Sequence, residues 1–594
     1  MARQVSFSFL RRAAVLTTVF LALTASMAAT AFDLAPPSPD FKAWQDGKTA
    51  DDSGAGYGYV PSPVDWSHLR SVSTKAAPPA SFDLRNGDNL TSVKNQSTCG
   101  ACWAFAACGV MEAWLKMDPG EIWDLSENHM KNTHGFSVGP CAGGNNSIAI
   151  AYLARWSGPL TEADDPYNPN EVIPPPAGVE VPMHLHSAPF YYADGITNAD
   201  IKNAIMTLGP VATPMTYYES SFNATQNTYY YGGSNQPNHM VAVVGWDDAK
   251  VVPGAPSAGA WICKNSWSAG WGDDGYFYIS YRDTKAVKEV AGFYDLAPAG
   301  EDDRVYQYDT FGLTSYAGSP SPVGYAANVF TAAASETLTA VGTYAVQNGT
   351  QYQISVYTGS GVGANTFTNP VLTVSGTLPN AGYFVIPLPE NVPVASGERF
   401  AIKIRYETAG WDYPIPVEAP VMGYAPATAS SGQSYLSDNG SYFEDITTLG
   451  DDYASANVCI KAIAGNREVT PPTPSVQIAG RPRVELGDPV TLNAVGANLV
   501  GAVTYAWFKD DAPLPGAVAP QYVIPEADYT HAGSYVVEVT DESKGIYRSD
   551  PFVLEVLAVG SLPLSNVLGV ITLALLATGV FVLRRRSCAV RRDC

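Results

Sequence analysis

Cys99-Gly100-Ala101-Cys102-Trp103-Ala104-Phe105 is the stretch on which the reading of this chain turns. Gln96 stands six residues ahead of Cys102. Far downstream come Asn238-His239-Met240-Val241-Ala242-Val243-Val244-Gly245-Trp246 and then Lys264-Asn265-Ser266-Trp267. In chain order these supply a thiol, an imidazole to activate it, an amide to orient the imidazole, and a Gln amide to donate to an oxyanion. A thiol with a pKa of about 8.5 is mostly protonated at neutral pH, so Cys102 needs help. The apolar run from Cys102 to Met117, rich in good helix formers, predicts a buried helix with Cys102 in its first turn. A helix N-terminus and a nearby imidazolium both favour the thiolate.

Taken together, these motifs resemble the papain-like cysteine peptidases. The resemblance implies Cys102 as nucleophile, His239 as acid and base, Asn265 as orienter of the imidazole and Gln96 as oxyanion donor beside the Cys102 N–H. It implies Trp103 and Trp267 beside the substrate, with Trp267 covering the Asn–His bond. Cys99 and Cys141 match the family's bridge to Cys141-Ala142-Gly143-Gly144, and Gly143 and Gly144 then line the non-primed cleft, where bare backbone pairs with extended substrate. Leu125-Ser126-Glu127-Asn128 resembles the family's capped second helix. Asn238 departs from the acid found there in the best-known plant enzyme. Met215 and Pro214 are expected near the specificity pocket, with no side-chain preference assigned. Cys108 reads as inert and Cys263 as buried; a bridge between them stays open. The CxxC at Cys99 and Cys102 admits a zinc or redox reading, but no second ligand pair exists. No metal or cofactor is expected.

Composition bounds the rest. A chain of 594 residues calls for three or four domains. A net charge of -22 argues against nucleic acid as a partner. Residues 1–31 carry Arg3, Arg11 and Arg12, an apolar run and Ala29-Thr30-Ala31, the pattern of a signal peptide. Val567–Leu583 is an uncharged apolar run of 17 residues followed by Arg584-Arg585-Arg586. It reads as a membrane helix at the short limit of spanning, with residues 584–594 as a basic cytoplasmic tail. With Leu562-Pro563-Leu564-Ser565 before it, this end also resembles bacterial C-terminal sorting tails, so a retained and a removed anchor both stay open.

Residues 32–78 read as a short prosegment and linker, unlike the longer helical propeptide usual in the family. Within it, Tyr59 to Trp66 is either a pseudo-substrate in the cleft or a strap on the surface. The expected fold is multidomain: an α+β papain-like domain over 79–300, with a helical half and a β-rich half, then two all-β sandwiches and the C-terminal helix. Residues 302–465 show alternating strands such as Gln353-Ile354-Ser355-Val356-Tyr357 and resemble the lectin-like domains of bacterial relatives. Residues 466–475 form a Pro-rich linker. Residues 476–557 resemble an immunoglobulin-like domain, with Trp507 in the core, Tyr535 at a tyrosine corner, and Ala494 and Val537 where a disulfide would stand. The β domains are expected to have cores of their own, leaving a separable head. The function expected is a secreted or surface-anchored cysteine endopeptidase acting on peptide or protein, at the extracellular face of a bacterial cell. Residues 302–465 are candidates for glycan contact or for a spacer, and the C-terminal helix for membrane contact. The alternatives are an adhesin whose papain-like head is a scaffold, and a papain-like exopeptidase.

Overall fold

Thirteen of the sixteen residues of helix Cys102–Met117 are buried; Trp114, Lys116 and Met117 are the exceptions. A helix apolar on every side belongs inside a molecule rather than on it, and here it runs through the first of two units, packed against strand His239–Asp247 and against helices Glu127–Thr133 and Asn146–Ala154. The computed structural model describes residues 32–47, 57–69, 78–117, 120–170, 178–192, 198–300, 303–465, 475–479, 483–497, 503–541 and 545–558. The expected signal peptide, membrane helix and basic tail, and nearly all of the Pro-rich linker, lie outside these residues. No helix among the described residues is long and apolar enough to cross a membrane.

The β-rich half opposes the helices. Strands Val211–Met215, His239–Asp247, Ala260–Lys264 and Tyr276–Ser280 pair antiparallel in that order. Ser81–Asp83 joins His239–Asp247, and Gly245 permits it, because a Cβ there would stand 2.3 Å from the Phe82 carbonyl oxygen.

The sheet does not stop at the end of this half. Met183–Tyr192 pairs with Glu289–Ala291 and Tyr294–Pro298, and also with Ala381–Val394 from the following β region. Gly382 makes that junction possible: at φ 131° a Cβ would lie 2.2 Å from the Ala188 carbonyl oxygen. Ala381–Val394 then pairs with Glu336–Ala345, which pairs with Ile460–Ala464. One continuous sheet therefore runs from the peptidase-like half into residues 303–465. The apolar core is shared in the same way. Met183, Leu185, Phe190 and Tyr294 cluster with Tyr344, Tyr383 and Tyr424. Against the expectation of a separable head, a sheet and a core run through both regions of the first unit, which ends at Val469. A second sheet, led by Val323–Thr331, Arg399–Glu407 and Thr350–Thr358, closes a sandwich over a further core that includes Ile354, Ile402, Leu338 and Val341.

The N-terminal segment is woven into this unit. Asp33–Leu34 pairs with Ser315–Gly318. Helix Pro39–Gln45 comes next, its start fixed by Pro39 and by the Ser38 hydroxyl accepting from the Phe41 N–H. Residues 57–69 then cross to the front of the molecule, burying Val60, Val64, Trp66 and Leu69.

The second unit begins at Thr470. Its described strands form two sheets. Val490–Ala497 pairs with Ser475–Ala479 and Gln521–Ile524, while Gly533–Thr540 pairs with Thr504–Lys509 and Phe552–Leu557. Trp507, 1 % exposed, fills the core with Leu492, Val537 and Leu554. The Tyr535 hydroxyl donates to the His531 carbonyl oxygen at 2.8 Å.

Candidate active site

Cys102 opens the central helix. The loop before it is held by the disulfide between Cys99 and Cys141 and by the Gly100 N–H donating to the Cys141 carbonyl oxygen at 3.2 Å. The thiol is fully buried and receives backbone N–H groups of Trp103 and of Met240, the residue after His239. Burial pushes it up to about 12, against the pull of those N–H groups.

His239 begins strand His239–Asp247, in register with Met215. Its Nε2 lies 2.8 Å from Asn265 Oδ1. That oxygen also accepts the Ser266 N–H, so it is the amide oxygen and Nε2 carries the proton. Nδ1 is left as the free base, buried and without a hydrogen bond. Burial pushes the imidazole down to about 4, and the bond to Asn265 opposes the shift. Trp267 stacks on the ring at 4.6 Å between centroids, tilted by 21°, and shields the bond to Asn265.

Gln96 is fixed from both sides. Its N–H donates to the Ser266 carbonyl oxygen and its Oε1 accepts the Ser266 hydroxyl at 2.7 Å. Its Nε2 is thereby aimed outward and donates to the carbonyl oxygens of Cys99 at 2.9 Å and of Tyr57 at 2.8 Å. Two residues earlier, Lys94 anchors this loop to the helical half by bonds to Glu112, Glu127 and the Leu125 carbonyl oxygen. Burial would discharge Lys94, but Glu127 and Glu112 hold its pKa above the ordinary lysine value.

Gly144 pairs with the N-terminal segment. Its N–H donates to the Gly58 carbonyl oxygen and its carbonyl oxygen accepts the Val60 N–H, both at 3.0 Å. Gly143 has φ 124°, and a Cβ on it would press on Val60 at 2.9 Å. Trp103 lies behind Gly144 rather than in the cleft: it is fully buried, and a Cβ on Gly144 would meet its ring at 2.4 Å. Cys108 and Cys263 are both buried and free, so no bridge joins them. Met215 is buried in the core of the β half, while Pro214 faces a cavity beside Tyr59.

The structure thus brings Cys102, His239, Asn265, Gln96, Trp267, Gly143 and Gly144 to one cleft. Three contributors are not evident from sequence. Ser266, which fixes Gln96, sits inside a quoted motif but has no chemical signature of its own. Tyr57, whose ring lies 5.4 Å from His239 and 5.0 Å from Trp267, comes from a stretch without periodicity. Asn238, beyond its place next to His239, takes the Tyr217 N–H on its side chain and the Tyr59 N–H on its carbonyl oxygen.

The papain family of cysteine proteases matches residues 78–292, and the lectin-like domain family matches residues 305–464. Viral cathepsin of Heliothis zea nuclear polyhedrosis virus is 31 % identical over 206 residues, covering 34 % of this chain and 52 % of the relative. Viral cathepsin of Mamestra configurata nucleopolyhedrovirus is 31 % identical over 216 residues, covering 34 % of this chain and 57 % of the relative. The chain thus spans about half the length of these curated relatives. Among solved structures, the cysteine protease and lectin-like domains of Cwp84, a surface layer associated protein of Clostridium difficile, align with a TM-score of 0.64 at 25 % identity, over 74 % of this chain and 99 % of that one. Cwp84 after propeptide cleavage aligns with a TM-score of 0.58 at 27 % identity, over 65 % of this chain and all of that one. The chain thus carries a papain-family cysteine protease domain over residues 78–292 and a lectin-like domain over residues 305–464.

Proposed function

We propose that this protein is a papain-like cysteine endopeptidase that hydrolyses peptide bonds through a covalent acyl-enzyme. The observation that carries this reading is the Tyr57 carbonyl oxygen, 2.8 Å from Gln96 Nε2 and beside a His239–Asn265 pair joined at 2.8 Å. A main-chain carbonyl already occupies the place where an oxyanion would form. With substrate in its stead, Cys102 gives its proton to His239 Nδ1 and its sulfur attacks the carbonyl carbon. The Cys102 N–H and Gln96 Nε2 take the oxyanion; loss of one such donor typically lowers the rate by about 10²–10³. His239 protonates the leaving amine, then draws a proton from the water that releases the acyl group. Asn265 keeps Nδ1 turned to the sulfur throughout.

Residues 57–69 act in this reading as a built-in inhibitor. Gly58 to Val60 come after the carbonyl at Gln96 and run along Gly144, whereas a substrate presents to the non-primed side the residues before its carbonyl. The bridge between Tyr59 and Gly144 is parallel. The strap therefore lies reversed, with its carbonyl in reach and its chain polarity wrong for acyl transfer.

The remaining assignments extend the same reading. Peptide and protein are the substrates. Export by residues 1–31 and anchoring through residues 567–583 fit an enzyme at the cell surface, and the surface layer association of Cwp84 supports that setting. The family name of residues 305–464 supports glycan contact. The buried Trp507 and the Tyr535–His531 bond support an immunoglobulin-like stalk over 476–557. A net charge of -22 speaks for partners other than nucleic acid.

The test is labelling of the strap-released protein with a thiol-directed epoxide peptide, read by mass spectrometry, alongside peptide hydrolysis. Label on Cys102 alone and loss of hydrolysis in Cys102→Ala are expected. Hydrolysis above about 1 % of wild type in that variant, well beyond what loss of a nucleophile leaves, would sink the assignment. A folded head that never takes label would favour the adhesin reading.

A further inference from the structure

Lys461 and Asp309 meet deep inside residues 303–465, their side chains 1 % and 0 % exposed, with Lys461 Nζ 2.8 Å from Asp309 Oδ2. Lys461 lies on the last strand of that region, Ile460–Ala464, and Asp309 comes just after its first, Arg304–Tyr306; the two strands pair antiparallel. Gly342 stands across from Lys461 and leaves room for its stem, since a Cβ there would lie 2.6 Å from the Tyr383 hydroxyl. Gln307 Oε1 also accepts from Nζ, at 2.7 Å. Asp309 Oδ1 is buried and has no hydrogen-bond partner among the described residues. The Cys459 thiol, a weak donor, lies beside the carboxyl. Glu418, 1 % exposed, is the third ionisable group: it accepts the Phe311 N–H and Asn457 Nδ2. Burial pushes Glu418 up to about 8, and Asp309 is the charge that adds most, so at neutral pH Glu418 is an uncharged acid. Tyr344, Tyr383 and Tyr406, each at most 2 % exposed, sit close enough for Asp309 to act on their phenols.

We propose that Lys461 and Asp309 condense to an amide in the folded protein, a side-chain cross-link that the chain makes by itself, with Glu418 as the proton carrier. An ion pair at this depth loses the hydration of both partners. Passing the proton from Lys461 to Asp309 removes both charges and leaves an amine against a carboxylic acid. Nζ then attacks Asp309 Cγ and a C–N bond forms. A C–O bond breaks, and the hydroxyl leaves as water with a proton that comes from the amine. Glu418 gives its proton to the departing oxygen and takes one back from the nitrogen, so it ends as it began. No electron is exchanged and no co-reactant is needed. Groups held in reacting geometry reach effective molarities of about 10⁵–10⁸ M. Depth separates this pair from the other buried lysine contacts: Lys94, which also meets the buried Glu112, keeps 19 % of its side chain exposed. The bond would join residues 152 apart in sequence. A pull on the chain after Ala464 would then pass to residue 309 and bypass the sandwich between them.

The experiment denatures, reduces and digests full-length protein and reads the peptides by tandem mass spectrometry. A branched peptide joining the segments of Asp309 and Lys461 is expected, one water lighter than their sum, with little of either segment free. Lys461→Met should abolish it. Loss of a proton carrier typically lowers a rate by about 10²–10⁴, so freshly made Glu418→Gln protein should hold less of the branched peptide by about tenfold or more. Recovery of both segments unlinked from wild-type protein that keeps its near-UV circular dichroism overturns the proposal and leaves an ordinary buried ion pair; this arm does not depend on any variant folding. A branched peptide that survives Lys461→Met overturns the choice of partners, and one undiminished in Glu418→Gln overturns the role of Glu418.

Discussion

With the strap in place, Cys102 is held near 12 and His239 near 4 by burial, so at neutral pH both are neutral. Thiolate and imidazolium each lose hydration in this pocket, which the strap covers. These two shifts set the sign of the pH dependence. A thiol raised to about 12 gains thiolate tenfold with each unit of pH rise up to that value. Alkylation of Cys102 by iodoacetamide in the intact chain is therefore expected to climb without a plateau from pH 7 to pH 10, far below the strap-released protein at every pH. A plateau below pH 8 in the intact chain would mean that the covered pair is already ionised. The chemistry of Cys102, His239, Asn265 and Gln96 is legible in sequence because each carries a reactive or bidentate group inside a short motif. Tyr57 is not, since a tyrosine in an irregular stretch has no signature until the fold sets its ring 5.4 Å from His239.

Among the elements, the N-terminal strap departs furthest from its sequence reading. Helix Pro39–Gln45 has only seven residues and strand Asp33–Leu34 has two, too short for either periodicity to register. The capping pair Ser38-Pro39 is the local signal that was there to read. What orders the segment is contact with distant parts of the chain: Ser315–Gly318 for the strand, and Tyr424 for Phe41 at 5.3 Å. The central helix is the opposite case, legible from its apolar run alone. The strap's grip centres on Trp66, 2 % exposed, stacked on Phe190 at 4.7 Å and edge-on to Tyr316 at 5.7 Å. Truncating a buried Trp typically costs about 3–5 kcal/mol. If half of that loosens the strap, Trp66→Ala raises hydrolysis by the unprocessed chain at least tenfold over wild type. A variant whose melting temperature falls while the unprocessed chain stays silent would show that Trp66 serves the core and not the strap.

At the scale of the whole molecule, the boundary near residue 300 is a change of composition and not a break in the fold. The sequence marks it through a shift to Thr, Ser, Gly and Tyr, and strand patterning gives the β class of residues 302–465. It cannot show that Ala381–Val394 returns to pair with Met183–Tyr192, because such pairing spans some two hundred residues and leaves no local trace. Cutting after residue 300 would bare the edge of Met183–Tyr192 and strip Tyr344, Tyr383 and Tyr424 from the shared core. Each buried aromatic contributes roughly 1.5–3 kcal/mol, so three of them approach the whole stability of a domain. An exposed strand edge also invites association. A 79–300 fragment is therefore expected to aggregate or to lack near-UV circular dichroism and hydrolysis. A chain ending at 469, where the first unit closes, should keep the near-UV signal and, once its strap is released, hydrolysis. A soluble, active 79–300 fragment with a cooperative melt would refute this, and would show that the junction at Gly382 joins two cores able to stand apart.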